Sequence, residues 1–421
     1  MKQAASYIRE FFSYIERFRG HRFVIRIDDE LLVPEAAAAL AGDLARIRRA
    51  GVGLFIVVGA RQRIDTVLRQ YGRSWEMVGG VRVSEASDMS LIEMAAFDVA
   101  TRVMTLMTGE GAEAVIGNWV RARTLGVVDG VDFQRTGQVD SVDTIHIERL
   151  MNDGVIPILP CIGWNRRGRS YNLSSGRLAC ELAKAQQALK LIYFDSSAIN
   201  LPPRLTPGEA KDLLAQGSLR QKELELLGYS IDAVEGGVSR VHLLTNTEED
   251  ALLIELFTNM GAGAMIYSEE YESVRNLRRE DIPAVLQLSK PHVESGRLLN
   301  RDEGYFESRV DEIFVYEIDG TVHGVAGLRV YDGTIGEVYG LAVDAAVSDL
   351  GVGKRLVLRI IDAARSKGVS QLLACTTQAF DWFHELGFEQ TTYESLPRAR
   401  RLEYDVERNS LVVTLDLGSP Q

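Results

Sequence analysis

The sequence predicts an α/β protein with two domains: a three-layer α/β unit on a mainly parallel sheet, followed by a smaller α+β unit. The chain of 421 residues is too long for one ordinary domain of roughly 150 residues. Short apolar strands alternate with helices over the first two thirds, which is typical of a parallel sheet covered on both faces. Near Tyr267 the pattern changes to hairpin-like strands, which indicates a second domain.

The first domain opens with two β-branched runs, RFVIRI at Arg22–Ile27 and GLFIVVG at Gly53–Gly59. The helix predicted between them, Pro34–Ala50, has its proline at the start, where the missing N–H costs no helical hydrogen bond. The alternation continues along the domain. It predicts strands at Gly154–Pro160, Leu189–Phe194, Val241–Leu244 and Ala264–Tyr267, and helices at Asp88–Met107, Ser174–Ala188, Thr206–Gln216, Arg220–Val234 and Glu248–Asn259.

The second domain follows the polar break Ser268–Tyr271. Asp319-Gly320 predicts a hairpin of Ile313–Ile318 with Val322–Val330, since Asp-Gly suits a tight turn between strands. The rest mixes strands and helices, as in a mainly antiparallel α+β domain. It predicts strands at Gly336–Val343, Gln371–Thr376 and Leu411–Leu417, and helices at Asp281–Ser289, Gly353–Lys367 and Phe380–Leu386.

Composition and charge argue against several classes of function. With 47 basic and 59 acidic side chains, the formal charge is −12, so no basic excess exists to bind a nucleic-acid backbone. No apolar stretch approaches the roughly 18 to 20 residues of a membrane span, and no signal peptide is recognisable; we expect a cytoplasmic protein. Three scattered cysteines and six histidines form neither a disulfide framework nor a metal-ligand motif, so no metal is expected.

The segment Leu341–Leu356, LAVDAAVSDLGVGKRL, carries the sharpest local pattern. A strand ends, a loop follows, and Gly351-Val352-Gly353 opens a helix, although a plain strand-to-helix turn has the same form. Glycines let backbone N–H groups approach a phosphate, and the helix N-terminus adds its dipole. The residues that would bind such a ligand are Leu341, Val343, Leu350, Gly351, Val352, Gly353 and Lys354.

With RNLRREDI at Arg275–Ile282 before this loop and WFHELGF at Trp382–Phe388 after it, the second domain resembles the GCN5-related N-acetyltransferases. The resemblance implies acetyl-CoA as co-substrate. Two positions depart from the superfamily pattern. Ser348 replaces the usual Arg or Gln, so pyrophosphate binding would depend on backbone N–H groups, and Phe383 replaces the tyrosine that often protonates the departing thiolate.

Candidate catalytic residues follow from that chemistry. Because Phe383 has no proton to donate, Thr376 and Thr377 at the end of the preceding strand are the nearest candidate acids. Glu337 on the central strand is the candidate general base, because an α-ammonium must lose a proton before its nitrogen attacks a thioester. A surface-strand glutamate is the alternative interpretation of Glu337.

The first domain resembles the amino-acid kinase fold through GARQ at Gly59–Gln62, YNL at Tyr171–Leu173 and YFDSS at Tyr193–Ser197. Joined to an acetyltransferase domain, it is similar to the bacterial N-acetylglutamate synthase family. The resemblance implies an N-terminal helix at residues 1–20, a kinase-like regulatory domain at 21–268 and the acetyltransferase domain at 272–421.

Kinases of this fold follow the first strand with a lysine and a Gly-Gly pair that receive phosphates. Here the run after the strand is Asp28-Asp29-Glu30. Three carboxylates would face the phosphates at close range, and one like-charge pair about 4 Å apart costs about 4 kcal/mol at an effective dielectric near 20. We therefore predict that the kinase activity is lost.

The same resemblance implies transfer of an acetyl group from acetyl-CoA to the α-amino group of L-glutamate, the first step of arginine biosynthesis. By motif position, the glutamate would be held by Arg301, Arg408 and Ser410; guanidinium groups suit a dicarboxylate. L-arginine is the expected inhibitor, and its site would include Tyr14, Glu235, Gly237 and Ser239. The resemblance further implies a homo-oligomer, such as a hexamer.

Two other functions stay open: acetyl transfer to a different amine, and a non-catalytic sensor of arginine or acetyl-CoA. Glu337, Arg301 and Arg408 together favour the enzyme, because a sensor needs no base beside a carboxylate clamp. Ser348 and Phe383 keep the alternatives open, and a thiol-release assay across an amino-acid panel distinguishes them.

Overall fold

The computed structural model describes residues 14–196, 199–245, 251–257, 263–268, 272–318, 320–405, 408 and 410–418. The chain divides into two compact units, Met1–Ser268 and Glu269–Gln421. Within the described residues, no helix combines the length and the apolar character that crossing a membrane requires.

The first unit is built on an eight-stranded sheet whose central strand is Arg22–Ile27. That strand pairs in parallel with Gly53–Val58 and Lys190–Asp195. An antiparallel pair, Arg240–Thr245 with Gly263–Tyr267, lies towards one edge, and the other neighbouring strands run parallel. The strands in spatial order are Arg204–Leu205, Gly263–Tyr267, Arg240–Thr245, Lys190–Asp195, Arg22–Ile27, Gly53–Val58, Ile156–Pro160 and Ala114–Ile116. The sheet is mainly parallel, as predicted.

Both faces of this sheet are covered, because side chains of successive strand residues point to opposite sides. On the central strand, Phe23, Ile25 and Ile27 enter one apolar core and Val24 enters the other. The helices contributing to the first core are Pro34–Arg49, Arg61–Gln70, Met89–Gly109 and Ala251–Phe257. Those contributing to the second are Thr144–Asn152, Ser175–Ala185, Pro207–Ala215 and Gln221–Glu235. The predicted three-layer architecture is confirmed.

A second, four-stranded sheet in this unit was not predicted. In spatial order its strands are Ser170–Asn172, Ile162–Trp164, Val120–Thr124 and Gly137–Val142. Two short hairpins, Met77–Val78 with Val81–Arg82 and Val127–Val128 with Val131–Asp132, complete the unit. These strands are short or polar, so they lack the apolar run by which the main sheet is recognisable.

The second unit is a seven-stranded, mainly antiparallel sheet. In spatial order its strands are Glu272–Asn276, Ile313–Ile318, Thr321–Tyr331, Ile335–Val343, Gln371–Thr376, Leu411–Asp416 and Glu389–Thr391. Its helices are Ile282–Glu294, Glu303–Glu307, Val352–Ser366, Phe380–Glu385 and Arg398–Leu402. The predicted hairpin forms, with Gly320 at φ +76°, while Asp319 lies outside the described residues.

The two central strands of this unit, Ile335–Val343 and Gln371–Thr376, run parallel. Their pairing extends only from Ile335↔Gln371 to Val338↔Ala374, although both strands continue further. The carboxyl ends are therefore not hydrogen-bonded to each other over the remaining residues, which leaves room for a ligand between them.

Several predicted boundaries were wrong. The helix expected at Asp281–Ser289 runs from Ile282 to Glu294 and contains Pro291 in its interior. The edge strand Glu272–Asn276, which pairs with Ile313–Ile318, was not predicted. Of the helix expected at Glu248–Asn259, the structure describes Ala251–Phe257.

Candidate active site

A cavity of about 970 Å³ lies in the second unit. Its lining includes five residues singled out from the sequence: Arg301, Glu337, Thr377, Arg408 and Ser410. They come from a loop, the strand Ile335–Val343, the residue after the strand Gln371–Thr376 and the tail before the last strand. Only the folded sheet therefore brings them together.

Glu337 lies in the cavity wall on the strand Ile335–Val343. It is only 5% exposed, so its interpretation as an ordinary surface-strand glutamate was wrong. The Nε of Arg400 donates to its Oε1 at 2.8 Å, and the hydroxyl of Tyr331 donates to its Oε2 at 2.8 Å. Burial, followed by the charge of Glu337, raises the pKa of Tyr331, so this hydroxyl keeps its proton.

Arg400 and Cys375 were missed by sequence reasoning, although both line the cavity beside Glu337. Arg400 belongs to the short helix Arg398–Leu402, whose RARRL sequence looks like a solvated basic run. Burial raises the pKa of Cys375 to about 11, and Glu337 contributes to the rise. The thiol is therefore protonated near neutral pH.

Arg301 is held between two aromatic rings. Its guanidinium carbon lies 4.5 Å from the ring centre of Tyr305 and 4.6 Å from that of Tyr339. Such stacking leaves the N–H donors at the edge of the guanidinium plane available for a carboxylate. Gly340, at φ +64°, permits this arrangement, since a Cβ there would lie 2.5 Å from the Nη1 of Arg301.

Arg408 and Ser410 also line the cavity. The Nη2 of Arg408 donates to the carbonyl oxygens of Gly296 at 2.9 Å and Arg297 at 3.0 Å. The carbonyl of Ser410 accepts a hydrogen bond from Tyr404 at 2.6 Å. These contacts fix the backbone of the tail against the loop at Gly296, and Arg408 retains further N–H groups for a ligand.

The glycine segment forms the start of the helix Val352–Ser366. Gly351 adopts φ +71°, and the first hydrogen bond of the helix runs from the N–H of Arg355 to its carbonyl at 3.1 Å. The N–H groups of Val352, Gly353 and Lys354 precede that bond, so they have no acceptor within the helix. The Ser348 hydroxyl donates locally to the carbonyl of Ala345 at 3.1 Å.

The two threonines differ in their surroundings. Thr377 is exposed and lines the cavity. Thr376 is 8% exposed, and its hydroxyl accepts a hydrogen bond from the N–H of Ala379 at 2.9 Å. Of the two, Thr377 is the residue whose side chain lines the cavity.

The carboxylates after the first strand of the other unit are arranged differently from the expectation. Asp28 lies 3.5 Å from Arg26 and 3.0 Å from Lys222, and the same two cations contact Asp195 at 2.9 and 2.6 Å. These four residues, which we call the four-charge cluster, line a cavity of about 170 Å³. Burial would raise the pKa of Asp28, but Arg26 and Lys222 lower it.

The other two carboxylates have partners of their own. Asp29 accepts from the N–H of Arg63 at 2.8 Å, and Glu30 from the Ser196 hydroxyl at 2.6 Å. Our picture of three carboxylates repelling a phosphate together was therefore wrong. Two cations that line this cavity, Arg26 and Lys222, are instead engaged by the chain's own carboxylates.

The predicted effector residues make different kinds of contact. Tyr14 packs on Phe18, with ring centres 5.5 Å apart, whereas Glu235 is exposed and pairs with Lys211 at 2.5 Å. Gly237 has φ +98°, and the carbonyl of Ser239 accepts from the N–H of Ser268 at 3.1 Å.

A different charged group lies against Phe18. The ammonium of Lys190 is 4.5 Å from the Phe18 ring centre, and His242 Nδ1 lies 2.6 Å from a carboxylate oxygen of Glu255. Burial lowers the pKa of Lys190 well below its usual value, and the charge of Arg240 adds to this effect. Lys190 also feels the charge of Glu255, so these residues form one buried electrostatic group.

No group of three or more His, Cys, Asp or Glu side chains with the geometry to hold a metal ion occurs in the part of the chain that the structure describes.

The fold and the cavity define a class: an acetyltransferase domain preceded by an amino-acid-kinase-like domain. Residues 271–388 match the acetyltransferase (GNAT) family and residues 21–199 match the amino acid kinase family. More particularly, the chain belongs to the amino-acid acetyltransferase family. It is 33% identical to the amino-acid acetyltransferase of Neisseria meningitidis serogroup A, over 95% of this chain and 94% of the relative. The Escherichia coli K12 enzyme is 30% identical over 96% of each chain.

A solved structure extends the comparison. The N-acetylglutamate synthase of Neisseria gonorrhoeae, complexed with coenzyme A and L-arginine, is similar with a TM-score of 0.88 and 31% identity, over 98% of this chain and 99% of that one. The same enzyme complexed with coenzyme A and N-acetyl-glutamate gives a TM-score of 0.63. These comparisons confirm the family and the two folds expected from the sequence.

Proposed function

We propose that the protein transfers the acetyl group of acetyl-CoA to the α-amino group of L-glutamate, giving N-acetyl-L-glutamate and CoA. The observation that carries the proposal is one cavity that combines a buried carboxylate, Glu337, with the guanidinium groups of Arg301 and Arg408. Guanidinium groups bind carboxylates in a fixed geometry, so two of them suit a dicarboxylate. The N. gonorrhoeae enzyme complexed with N-acetyl-glutamate supports the same substrate.

In this mechanism Arg301 and Arg408, with the Ser410 region, orient the glutamate carboxylates. The carboxylate of Glu337 accepts a proton from the α-ammonium, directly or through water. The amine nitrogen then bonds to the thioester carbonyl carbon, and the nitrogen of this tetrahedral adduct still carries one proton more than the amide product. As the carbon–sulfur bond breaks, the Thr377 hydroxyl gives its proton to the thiolate and takes up that second proton from the nitrogen, directly or through water. The proton held by Glu337 is then released to solvent.

Acetyl-CoA would bind with its pyrophosphate at the start of the helix Val352–Ser366. The N–H groups from Leu350 to Lys354 are the proposed donors, since a helix N-terminus attracts anions. The pantetheine arm would enter beside Leu341 and Val343, where the two central strands no longer pair. Coenzyme A in the N. gonorrhoeae complexes supports this co-substrate.

The test is release of free thiol from acetyl-CoA by the purified protein. We expect CoA release with L-glutamate and much less with L-aspartate or L-glutamine. Glu337→Gln should lower kcat while leaving acetyl-CoA binding unchanged, and Glu389→Gln, on an exposed edge strand, is the matched control. Equal rates with an unrelated amine would contradict the glutamate assignment.

We further propose that L-arginine inhibits the enzyme by binding to the first domain. The predicted residues Tyr14, Glu235, Gly237 and Ser239 are one candidate site. The buried group around Glu255 is a second, because its carboxylate is shielded from water and Lys190 of the same group contacts Phe18. The N. gonorrhoeae enzyme complexed with L-arginine supports an arginine site in this architecture.

Arginine dose–response curves distinguish the two candidates. To inhibit, arginine must bind one state more tightly than another, by about 1–3 kcal/mol for a typical coupling. If Glu235 pairs with the effector, Glu235→Ala weakens inhibition and Glu255→Gln does not; the reverse result assigns the site to the second group. Wild-type protein that arginine does not inhibit would contradict regulation altogether.

We also propose a homo-oligomer, such as a hexamer, located in the cytoplasm. The implied role in biosynthesis from acetyl-CoA supports the compartment, and the family resemblance supports the assembly. Light scattering of the purified protein gives the subunit number; a mass equal to one 46.7 kDa chain at micromolar concentration would contradict the oligomer.

A further inference from the structure

We propose that Arg400 is a positioning residue that keeps the Glu337 carboxylate ionised and oriented, and thereby sets the pH range in which acetyl transfer occurs. The inference depends on the proposed function in one respect, namely that Glu337 is the general base.

The contact between the two side chains is direct and shielded. Arg400 Nε and Glu337 Oε1 are 2.8 Å apart, and the two side chains are 16% and 6% exposed. An ion pair so far removed from water is screened much less than a surface pair. Arg400 is also held in place through its helix, since the next residue, Arg401, donates its N–H to the carbonyl of Pro397 at 2.9 Å.

Four titratable or charged groups face Glu337 from the surrounding elements. Tyr331 donates its hydroxyl to the second carboxylate oxygen, and Cys375 lies on the neighbouring strand and keeps its proton. Arg329 is opposite Glu337 in the sheet register, but Glu403 engages its guanidinium at 2.8 and 3.2 Å. Arg400 is thus the cation with a direct hydrogen bond to Glu337 among the described residues.

Charge balance explains what this pair does for the reaction. A buried carboxylate without a counter-charge tends to take up a proton, and a protonated carboxyl group cannot act as a base. The positive charge of Arg400 opposes that uptake. An ionised carboxylate has about four lone-pair positions, and Arg400 and Tyr331 occupy two of them. The remaining positions can accept a proton from the substrate ammonium or from a bridging water.

A substrate contact is the competing role, because Arg400 also lines the cavity. The two roles differ in their kinetic effects. Loss of a substrate contact raises the KM for glutamate at all pH values, whereas loss of a counter-charge moves the acid limb of the kcat profile to higher pH.

The experiment measures kcat and both KM values from about pH 5.5 to 9.5 with full-length protein, acetyl-CoA and L-glutamate. Removal of an adjacent opposite charge typically changes a carboxyl titration by about 1–3 pH units. For Arg400→Gln we therefore expect the pH at which kcat is half-maximal on the acid side of the profile to rise by that amount. Arg400→Lys retains the charge and should remain closer to the wild type. Arg401→Gln, one residue further on an exposed side of the same helix, is the control with unchanged activity.

An acid limb at the wild-type pH in Arg400→Gln overturns the proposal, and a raised glutamate KM with that limb unchanged assigns Arg400 to substrate binding. If Arg400→Gln does not fold, Arg400→Met replaces it, because it also removes the charge and keeps an apolar side chain in the partly buried position; an acid limb at the wild-type pH in that variant overturns the proposal equally. Wild-type protein that releases no CoA with glutamate contradicts the proposed function instead.

Discussion

At the scale of single residues, the cavity of the second unit owes its character to side chains whose partners are already in place. Arg301 is stacked between two tyrosine rings, and Glu337 is bound by a guanidinium and a phenol. Groups fixed in this way lose little conformational entropy when a substrate binds. The site is therefore largely preorganised for a charged ligand.

Replacement of Arg301 by lysine keeps the charge but removes the planar group that stacks on Tyr305 and Tyr339. We expect the KM for glutamate to rise roughly 10- to 100-fold, because the stacking and the two-pronged carboxylate contact are both lost. The KM for acetyl-CoA should not change. Arg278→Lys, at an exposed position of the same unit, is the control, and an unchanged glutamate KM in Arg301→Lys would exclude Arg301 from substrate binding.

Substitution of Thr377 should affect catalysis, whereas substitution of Thr376 should affect stability. Thr377→Ala should lower kcat by about 100-fold or more if its hydroxyl is the acid, with little change in Tm. Thr376→Ala removes the acceptor for the N–H of Ala379 and should cost about 0.5–2 kcal/mol of stability. Thermal unfolding and thiol release on both variants check this; a loss of kcat in Thr376→Ala alone would reverse the assignment.

At the scale of elements, sequence reasoning found the parts that are buried on both faces. GLFIVVG and GVIPILP are continuous apolar runs because helices cover both sides of their sheet. The strand Val120–Thr124, in the smaller sheet, was missed because its VRART sequence is short and contains no continuous apolar run. Its alternation of apolar and polar residues is itself typical of a half-buried strand, so this strand was predictable from the sequence.

The site was predictable only in part. Motif positions pointed to Arg301 and Arg408, and the chemistry of amine acetylation pointed to Glu337 on the central strand. Arg400 lies in the tail Leu396–Val412, which also resembles the family, but it was not singled out, because its partner Glu337 is 63 residues earlier. Asp28 and Lys222 are likewise 194 residues apart, and their pairing depends on the sheet order rather than on a local pattern.

The start of the helix Val352–Ser366 gives a prediction about acetyl-CoA. A Cβ at Gly353 would lie 3.1 Å from Trp382, whereas at Gly208, also the second residue of a helix, the nearest atom is 3.9 Å away. Gly353→Val should therefore shift the helix start and raise the KM for acetyl-CoA by about 10-fold or more, the effect of losing about 1.4 kcal/mol. Gly208→Val is the matched control; equal KM values in both variants would contradict the proposed phosphate position.

At the scale of the whole molecule, buried ionisable groups couple the stability of the first unit to pH. Burial lowers the pKa of His242 to about 4 from its ordinary 6.5. The folded state therefore binds fewer protons than the unfolded state between these two values. The contribution of His242 to stability is complete above pH 6.5 and decreases as the pH falls towards 4.

Comparison of wild type with His242→Gln isolates this effect. We subtract the free energy of unfolding of the variant from that of the wild type at each pH. This difference should fall by at most about 3 kcal/mol from pH 7 to pH 4. Thermal unfolding at pH 7, 6 and 5 measures the trend, with His146→Gln, an exposed histidine, as the control. A difference that stays constant with pH would show that His242 does not titrate differently in the two states.

The four-charge cluster restricts how this chain can change over generations. Arg26, Asp28, Asp195 and Lys222 sum to zero charge, and the first three are nearly excluded from water. Loss of one partner from a buried ion pair costs about 3–5 kcal/mol, because the other charge is left uncompensated, and that is a large share of a typical domain's stability. A mutation at one of these positions is therefore tolerated mainly when another position changes with it. The four sites should therefore covary among descendants of this sequence.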